Sequence, residues 1–328
     1  MTRYLTTISK IKKNHQPKTN KTAYRLRNWS QYNQALVERG SLTVWFDQNV
    51  LDQWYYQGPK QRGAQLTYTD LVIETALSLK AVFRLGFRQS QGLLASMLVL
   101  LDVERKVPNY STLCRRQKTL SVTLGTVRPE QTRHLVIDST GLKVYGEGEW
   151  KVRQHGWSKR RTWRKLHLGV DETTGEVVAM VLTDNATDDA AMVPALLDQV
   201  EDEIAAVGAD GAYDKRKVYR ALTARKITPI IPPQRNARIW QHGNCKALPH
   251  PRDEALRYIR RHGRKKWKRD SGYHRRSKAE NAMYRFKTIF GSSLWARTME
   301  NQRVEARIKS RVLNRMTALG MPESYAVA

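Results

Sequence analysis

The sequence is poor in cysteine and in acidic residues, and it has no long apolar segment. Its two cysteines, Cys114 and Cys245, provide neither a disulfide framework nor a four-cysteine zinc site. The longest apolar run, Leu93–Leu101, is interrupted by Ser96 and followed by Asp102. A membrane-spanning helix needs about 20 apolar residues, and no apolar stretch of a secretion signal follows the basic N-terminus. These features predict a cytoplasmic protein without a membrane partner.

The shortage of acidic residues leaves the chain with a large positive charge. Lys and Arg number 58 against 30 Asp and Glu, which gives a formal net charge of +28 at pH 7. A charge of that size attracts polyanions in a salt-dependent manner, nucleic acid first and acidic membranes second. With 328 residues, the chain is long enough for one large or two ordinary domains. The composition therefore predicts a protein that works on DNA or RNA.

The N-terminal third has the pattern of a helical region. Residues 1–40, of which the first 30 are rich in Lys, Arg, Asn and Thr, are predicted to form a flexible basic arm. Thr67–Leu85 has apolar residues at helical spacing after Thr67 and Thr69, either of which is able to cap a helix. Arg88–Val103 is predicted to form a second helix that packs against the first.

A short basic helix follows these two. Pro108 and Asn109 stop the preceding segment, and Ser111 is predicted to cap the new helix. Two packed helices followed by a basic helix are typical of a helix-turn-helix that reads DNA. Residues 41–130 are therefore predicted to form a DNA-binding domain, with a helical subdomain that merely has a basic surface as the alternative. The predicted DNA-contacting side chains of the short helix are Arg115, Arg116 and Lys118.

After residue 130 the pattern changes to alternating strands and helices. HLVIDST predicts a strand that ends at Asp138, and residues 162–183 predict a β-hairpin. Two further strands are predicted at Ile204–Ala209 and Thr228–Ile231. Strands that alternate with helices indicate an α/β layer.

The rest of the chain is assigned around this layer. Residues 131–298 are predicted to form the α/β domain, in which Asp214 caps a helix. Residues 234–270 interrupt its rhythm and are interpreted as a basic insertion that faces nucleic acid, with a solvated basic loop as the alternative. Residues 299–328 are predicted to form a C-terminal amphipathic helix.

Three carboxylates are candidate metal ligands. Asp138 and Asp210 each end an apolar, strand-like run and are followed by small residues, while Glu280 belongs to a predicted helix. Three converging carboxylates repel one another unless divalent cations neutralise them, and hard oxygen ligands suit Mg²⁺ or Mn²⁺. Two such ions, about 3.5–4 Å apart, would clamp a scissile phosphate.

The segment around Glu280 adds groups that suit a phosphate. Tyr273, Arg276, Glu280 and Lys287 lie at offsets 0, 3, 7 and 14, which share one face of a helix. A guanidinium and an ammonium beside a metal-binding acid are suited to holding phosphates. The alternative interpretation of this stripe is a solvated, charged helix.

Several segments together resemble those of bacterial insertion-sequence transposases of the DDE type. They are HLVIDSTGLKVYGEGEWKVRQHGWSKRRTWRKLHLGVD, ADGAYD, IIPPQRNA and Y-x2-R-x3-E-x6-K followed by FGSSL. The best resemblance is to the IS-five family, within the larger group that carries the Y-R-E-K signature. PNYSTLCRRQKTL resembles the N-terminal domain of that family, so the resemblance runs from about residue 41 to the end.

The resemblance implies a fold, a site and partners. It implies a ribonuclease-H-like catalytic domain, a five-stranded mixed sheet with helices on both sides, after an all-α DNA-binding domain. It implies Asp138, Asp210 and Glu280 as the metal-binding catalytic triad. The family works in bacteria as an oligomer, at least a dimer, that bridges two terminal inverted repeats and is nucleoid-associated when bound. The signature residues that it implies as DNA contacts near the cleaved phosphate are Tyr273, Arg276 and Lys287.

The resulting hypothesis is a DNA transposase. It would bind terminal inverted repeats, cleave DNA with metal ions and join the freed 3′-hydroxyl to target DNA. One alternative is a non-catalytic DNA-binding regulator, for which the basic helical third would suffice. The other is a ribonuclease-H-type or junction-resolving nuclease that does not transfer strands.

Overall fold

The N-terminal third of the protein is helical. The computed structural model describes residues 23–60, 62–63, 65–126, 132–144, 163–241 and 248–327. The Thr69 hydroxyl caps the helix Asp70–Val82 (α4) by accepting a hydrogen bond from the Val72 amide. Asn109, not Ser111, caps the helix Tyr110–Gln117 (α6). The two long predicted helices are confirmed as α4 and α5. The first elements in chain order are β1 (Ala23–Leu26), α1 (Trp29–Glu38), α2 (Leu42–Trp45), α3 (Gln48–Asp52), α4 (Asp70–Val82), α5 (Phe87–Leu100) and α6 (Tyr110–Gln117).

The segment predicted as a flexible arm is partly folded. β1 pairs antiparallel with the C-terminal strand β8 (Ser324–Val327). The Asn28 side chain donates a hydrogen bond to the Met321 carbonyl at 2.9 Å and accepts one from the Glu323 amide at 2.8 Å. The prediction is therefore wrong for residues 23–40, because the far end of the chain supplies partners that local composition does not reveal. Residues 1–22 lie outside the described residues.

A mixed sheet forms the centre of the protein. β3 is antiparallel to both β2 and β4, and β5 is parallel to β2 and β6. These five strands lie in the order β4-β3-β2-β5-β6, and the two-residue β7 extends the sheet beside the end of β2. The predicted hairpin is confirmed as β3 and β4. The strands are β2 (Arg133–Val144), β3 (Trp163–Asp171), β4 (Val177–Asp184), β5 (Ile204–Gly208), β6 (Thr228–Ile230) and β7 (Ser293–Leu294).

Among the residues that the structure describes, six further helices follow or cover the sheet. The helix predicted to carry Tyr273, Arg276, Glu280 and Lys287 begins only at Ser277, because Gly272 adopts a left-handed conformation (φ +68°) and Tyr273–Arg276 forms a separate 3₁₀ turn. No helix in the described part of the chain has both the length and the apolar character that crossing a bilayer requires. The helices are α7 (Val193–Leu197), α8 (Arg216–Ala224), α9 (Pro251–His262), α10 (Arg264–Asp270), α11 (Ser277–Phe290) and α12 (Met299–Leu319).

Each face of the sheet has its own core. Leu135 and Ile137 of β2 point to one face and pack with residues of α7 and α8. Val136 and Leu142 point to the other face, in a core shared with α11, α12 and the N-terminal helices. The N-terminal helices and the sheet therefore have one continuous core through α12. The predicted boundaries at residues 130 and 298 do not separate independent cores.

The buried side chain of Asn314 joins three parts of the chain. Its amide donates hydrogen bonds to the carbonyls of Leu124 and Val177 at 3.0 and 2.8 Å, and its oxygen accepts one from the Val177 amide at 2.8 Å. We expect Asn314→Leu to lower the free energy of unfolding by about 3 kcal/mol, because three buried backbone groups lose their partner. Chemical denaturation measures this, and the exposed Arg303→Leu on the same helix serves as the control.

Candidate active site

Two of the candidate acids lie at corresponding positions of neighbouring parallel strands, Asp138 within β2 and Asp210 two residues after the end of β5. Val136 of β2 pairs with Gly208 of β5, so Asp138 and Asp210 each follow a paired residue by two positions. Asp138 lies in the middle of β2 rather than at its end, where the sequence predicted it, because β2 continues to Val144. Asp138 points to the face of the sheet that α11 covers, since side chains alternate along a strand.

Backbone amides orient both of these carboxylates. The Asp138 Oδ1 atom accepts a hydrogen bond from the Ser139 amide at 2.8 Å. The Asp210 Oδ1 atom accepts one from the Ala212 amide at 2.8 Å and so caps the 3₁₀ turn Gly211–Tyr213. Each carboxylate uses one oxygen in this way and keeps lone pairs for another ligand.

Arg276 connects the first acid with the third. Its Nη1 atom lies 3.6 Å from the Asp138 Oδ2 atom, and its Nη2 atom forms an ion pair with the Glu280 Oε1 atom in the first turn of α11. The 3₁₀ turn that carries Arg276 packs against both β2 and β5. One guanidinium thus bridges carboxylates from the central strand and from the helix across it.

The electrostatics indicate that the charges of Asp210 and Glu280 reach Asp138. Burial raises the pKa of Asp138, and the negative charges of Asp210 and Glu280 raise it further. The Ser139 amide and the Arg276 guanidinium oppose this increase in the pKa. Burial also raises the pKa of the Tyr273 hydroxyl, with smaller contributions from the same three acids.

The donor set suits a hard divalent cation, although its geometry is open. Among the described residues, no three Asp, Glu, His or Cys side chains form a tight cluster with the spacing of a metal site. The carboxylate oxygens of Asp138, Asp210 and Glu280 are nevertheless the ligand type that Mg²⁺ and Mn²⁺ prefer. Their mutual repulsion is what a bound cation would relieve. The three residues therefore fit such an ion by their chemistry, with Arg276 spanning two of them.

Comparison with known proteins gives the family. Two family models, both described as a transposase DDE domain, match residues 129–315 and 37–147. The first of these ranges covers more than half of the chain. The chain belongs to the DDE transposase family. A cryo-EM structure of the piggyBac transposase synaptic complex with hairpin DNA is similar at 9% sequence identity, over 86% of this chain and 73% of that chain. Its TM-score of 0.37 is too low to define the fold of this transposase.

Of the other signature residues of the transposase, Tyr273 and Arg276 lie beside Glu280, whereas Lys287 lies farther along α11. The Arg276 guanidinium lies 5.7 Å from the centre of the Tyr273 ring, so Tyr273, Arg276 and Glu280 are neighbours. Lys287 is half-buried and lies seven residues beyond Glu280 on α11, about 10 Å along the helix axis. Lys287 therefore lies on the same helix as Glu280 but away from the carboxylates.

The N-terminal candidates of the transposase divide into two kinds. Arg115 and Lys118 are exposed, as predicted. The prediction that Arg116 is exposed is wrong: its side chain is only 15% exposed, forms an ion pair with Asp70 and donates a hydrogen bond to the Tyr68 carbonyl at 3.1 Å. Arg116 ties α6 to the start of α4, a contact between residues too far apart in the sequence for a local pattern to reveal.

A buried ion pair beside the site was missed from the sequence. Asp214, predicted as a helix cap, accepts hydrogen bonds from the Arg252 guanidinium at 2.6 and 3.2 Å, and Lys215 occupies the cap position. Asp214 also accepts a hydrogen bond from the Gln234 amide at 2.9 Å. This ion pair fixes the turn that follows Asp210 to α9. The two partners are 38 residues apart, so no spacing rule identifies them.

Proposed function

We propose that this transposase binds the terminal inverted repeats of its insertion sequence, cleaves DNA there with divalent metal ions, and joins the freed 3′-hydroxyl to target DNA. The bridge from Arg276 to Asp138 and Glu280, beside the negative charge of Asp210, supports this proposal most directly. It brings a guanidinium, a group suited to binding phosphate, together with carboxylates of β2 and α11, and the charge of Asp210 acts on the first of them. The sequence resemblance favours a bacterial protein of the IS-five family that acts on the nucleoid.

In this proposal Asp138, Asp210 and Glu280 hold two Mg²⁺ or Mn²⁺ ions. Bound ions would supply activation of the attacking water or 3′-hydroxyl and stabilisation of the leaving oxygen. Arg276, Tyr273 and Lys287 hold the DNA backbone, so that the scissile phosphate stays beside the carboxylates. Asp214 and Arg252 contribute indirectly, because they fix the turn that follows Asp210.

The architecture supports a ribonuclease-H-like assignment for the catalytic part. A five-stranded mixed sheet with helices on both faces is the arrangement that the family resemblance implies. The helices α4 to α6 would hold the terminal repeats through Arg115 and Lys118. Because a transposase must join two ends of one element, we propose that at least two copies assemble on paired ends.

The helices α9 and α10 offer a second surface for DNA. Buried residues of α9 and α10, Leu256 and Trp267 among them, anchor these helices to the protein. The outer side of the helices carries exposed cations, which a polyanion would contact through its phosphates. These cations are Arg257, Arg260, Arg261 and Lys265.

Removing two of these cations is expected to change the salt dependence of DNA binding. The slope of log K against log salt is negative. In the double variant Arg260→Gln/Arg261→Gln its magnitude should decrease by about 2, or about one unit per lost phosphate contact. Fluorescence anisotropy over a salt series measures the slope. The matched control is Arg225→Gln/Lys226→Gln. These two exposed residues precede β6 and so lie at the end of the parallel strands opposite to Asp210. Equal slopes in both variants and the wild type would exclude α9 as a phosphate-binding surface.

A joining assay tests the proposed function. Element ends, either uncut with flanking DNA or pre-cut, are incubated with the transposase, a supercoiled target plasmid and Mg²⁺, and the products are separated on a gel. Joined products support the proposal. Cleaved ends without joined products favour a nuclease that does not transfer strands. Stable binding of the ends without either product favours a DNA-binding regulator.

A further inference from the structure

The bridge formed by Arg276 has a consequence for the binding of metal ions. Its guanidinium reaches the Asp138 Oδ2 atom at 3.6 Å with Nη1 and pairs with the Glu280 Oε1 atom through Nη2. These are two of the three carboxylates that would hold the ions. The Arg276 guanidinium therefore neutralises two of the carboxylates that would hold a metal ion. Its positive charge would also repel a metal ion beside them.

Arg276 is also within reach of DNA. Its side chain is 23% exposed, and the Glu280 side chain is 53% exposed, so one side of the bridge faces solvent. A guanidinium binds phosphate and carboxylate with the same planar set of donors. A DNA phosphate at this opening therefore competes with Asp138 and Glu280 for Arg276.

The neighbouring arginine has no such position. Arg275 forms its ion pair with Glu172 at 2.6 Å, and its side chain is 62% exposed. It has the same charge and lies one residue away, but no ion pair links it to Asp138, Asp210 or Glu280 among the described residues. Arg275 is thus a matched comparison for the effect of one positive charge near the site.

We propose that Arg276 couples DNA binding to metal binding. In the free protein it holds Asp138 and Glu280, and a phosphate of bound DNA draws it away, so that both carboxylates become available to the ions. This inference rests on the proposed function, in which these acids bind metal. Because coupling is reciprocal, bound metal ions also strengthen DNA binding at Arg276. This coupling keeps the free protein poorly loaded with metal and limits cleavage to the DNA-bound protein.

Titration with Mn²⁺ tests the coupling without any measurement of activity. The electron paramagnetic resonance signal of free Mn²⁺ gives the bound fraction for the wild type and for four variants: Arg276→Gln, Arg276→Lys, Arg275→Gln and Asp138→Asn. Without DNA, Arg276→Gln should bind Mn²⁺ about tenfold more tightly than the wild type, within the usual range of coupling between two ligands. The Mn²⁺ affinity of Arg276→Lys should lie between those of the wild type and Arg276→Gln, because an ammonium keeps the charge but lacks the planar set of donors of a guanidinium. Arg275→Gln should bind Mn²⁺ like the wild type.

A second series adds a short DNA duplex of arbitrary sequence at low salt. The duplex should tighten Mn²⁺ binding by the wild type and leave that of Arg276→Gln nearly unchanged. Equal Mn²⁺ affinities of wild type and Arg276→Gln, or a duplex without effect on the wild type, would overturn the coupling. Failure of the proposed function looks different: Asp138→Asn would then bind Mn²⁺ as the wild type does.

Discussion

Glu280→Gln is expected to abolish the joining of element ends, with a loss of about 10²–10³-fold or more, the scale seen when one group that stabilises developing charge is removed. The substitution keeps the size of the side chain but removes one of the three negative charges proposed to hold the metal ions. Gel quantification of joined products, with wild type and variant in parallel, measures the effect. Binding of the element ends should stay close to that of the wild type, since the helices proposed to bind DNA are unchanged.

A matched control separates this effect from a general loss of acidity. Glu254→Gln removes an exposed carboxylate from the first turn of α9, as Glu280 lies in the first turn of α11. We expect its joining rate to equal that of the wild type. Joining by Glu280→Gln at the wild-type rate would remove Glu280 from the proposed triad, whereas loss of end binding would indicate a structural role.

Arg252→Met is expected to lower the free energy of unfolding by about 3–5 kcal/mol, the usual cost of leaving one partner of a buried ion pair alone. The side chains of Arg252 and Asp214 are 5% and 1% exposed, so water does not replace the lost partner of Asp214. The stacking of the guanidinium 3.9 Å from the centre of the Trp240 ring is lost as well. Guanidinium chloride denaturation, followed by tryptophan fluorescence and circular dichroism, measures the change.

The double variant Arg252→Met/Asp214→Leu tests the cause. Removing both charges leaves no unpaired carboxylate at position 214, so part of the lost stability should return, while the buried Asp253 still lacks the Arg252 charge 3.6 Å away. The exposed Arg257→Met on the same helix should change the free energy of unfolding by about 0.5 kcal/mol or less. If the double variant is less stable than Arg252→Met, the buried charge of Asp214 is not the source of the loss.

The parts of the fold that follow from local pattern were predictable from the sequence. The spacing of apolar residues and a capping threonine predict α4, and the turn between two β-branched runs predicts the hairpin of β3 and β4. Both features depend on residues that are close together in the chain. The three candidate acids are predicted from the same kind of local context, and their role stays a prediction.

What the sequence could not reveal depends on contacts between distant segments. Arg116 looked like an exposed cation, but Asp70 and the Tyr68 carbonyl hold it against α4. Asp214 looked like a helix cap, but Arg252 pairs with it from α9. In each case a charged residue fits its local pattern, and a partner outside that pattern decides its position.

The contacts of the N-terminal elements with α12 and β8 have a consequence for the synthesis of the protein. β1 pairs with β8, and the N-terminal helices share their core with α12, which begins at Met299. A nascent chain on the ribosome therefore cannot complete the core of its N-terminal helices before α12 has been translated. Products that stop before α12 would expose that apolar surface and become substrates for proteases. Only chains translated through α12 would then complete the fold of their N-terminal helices.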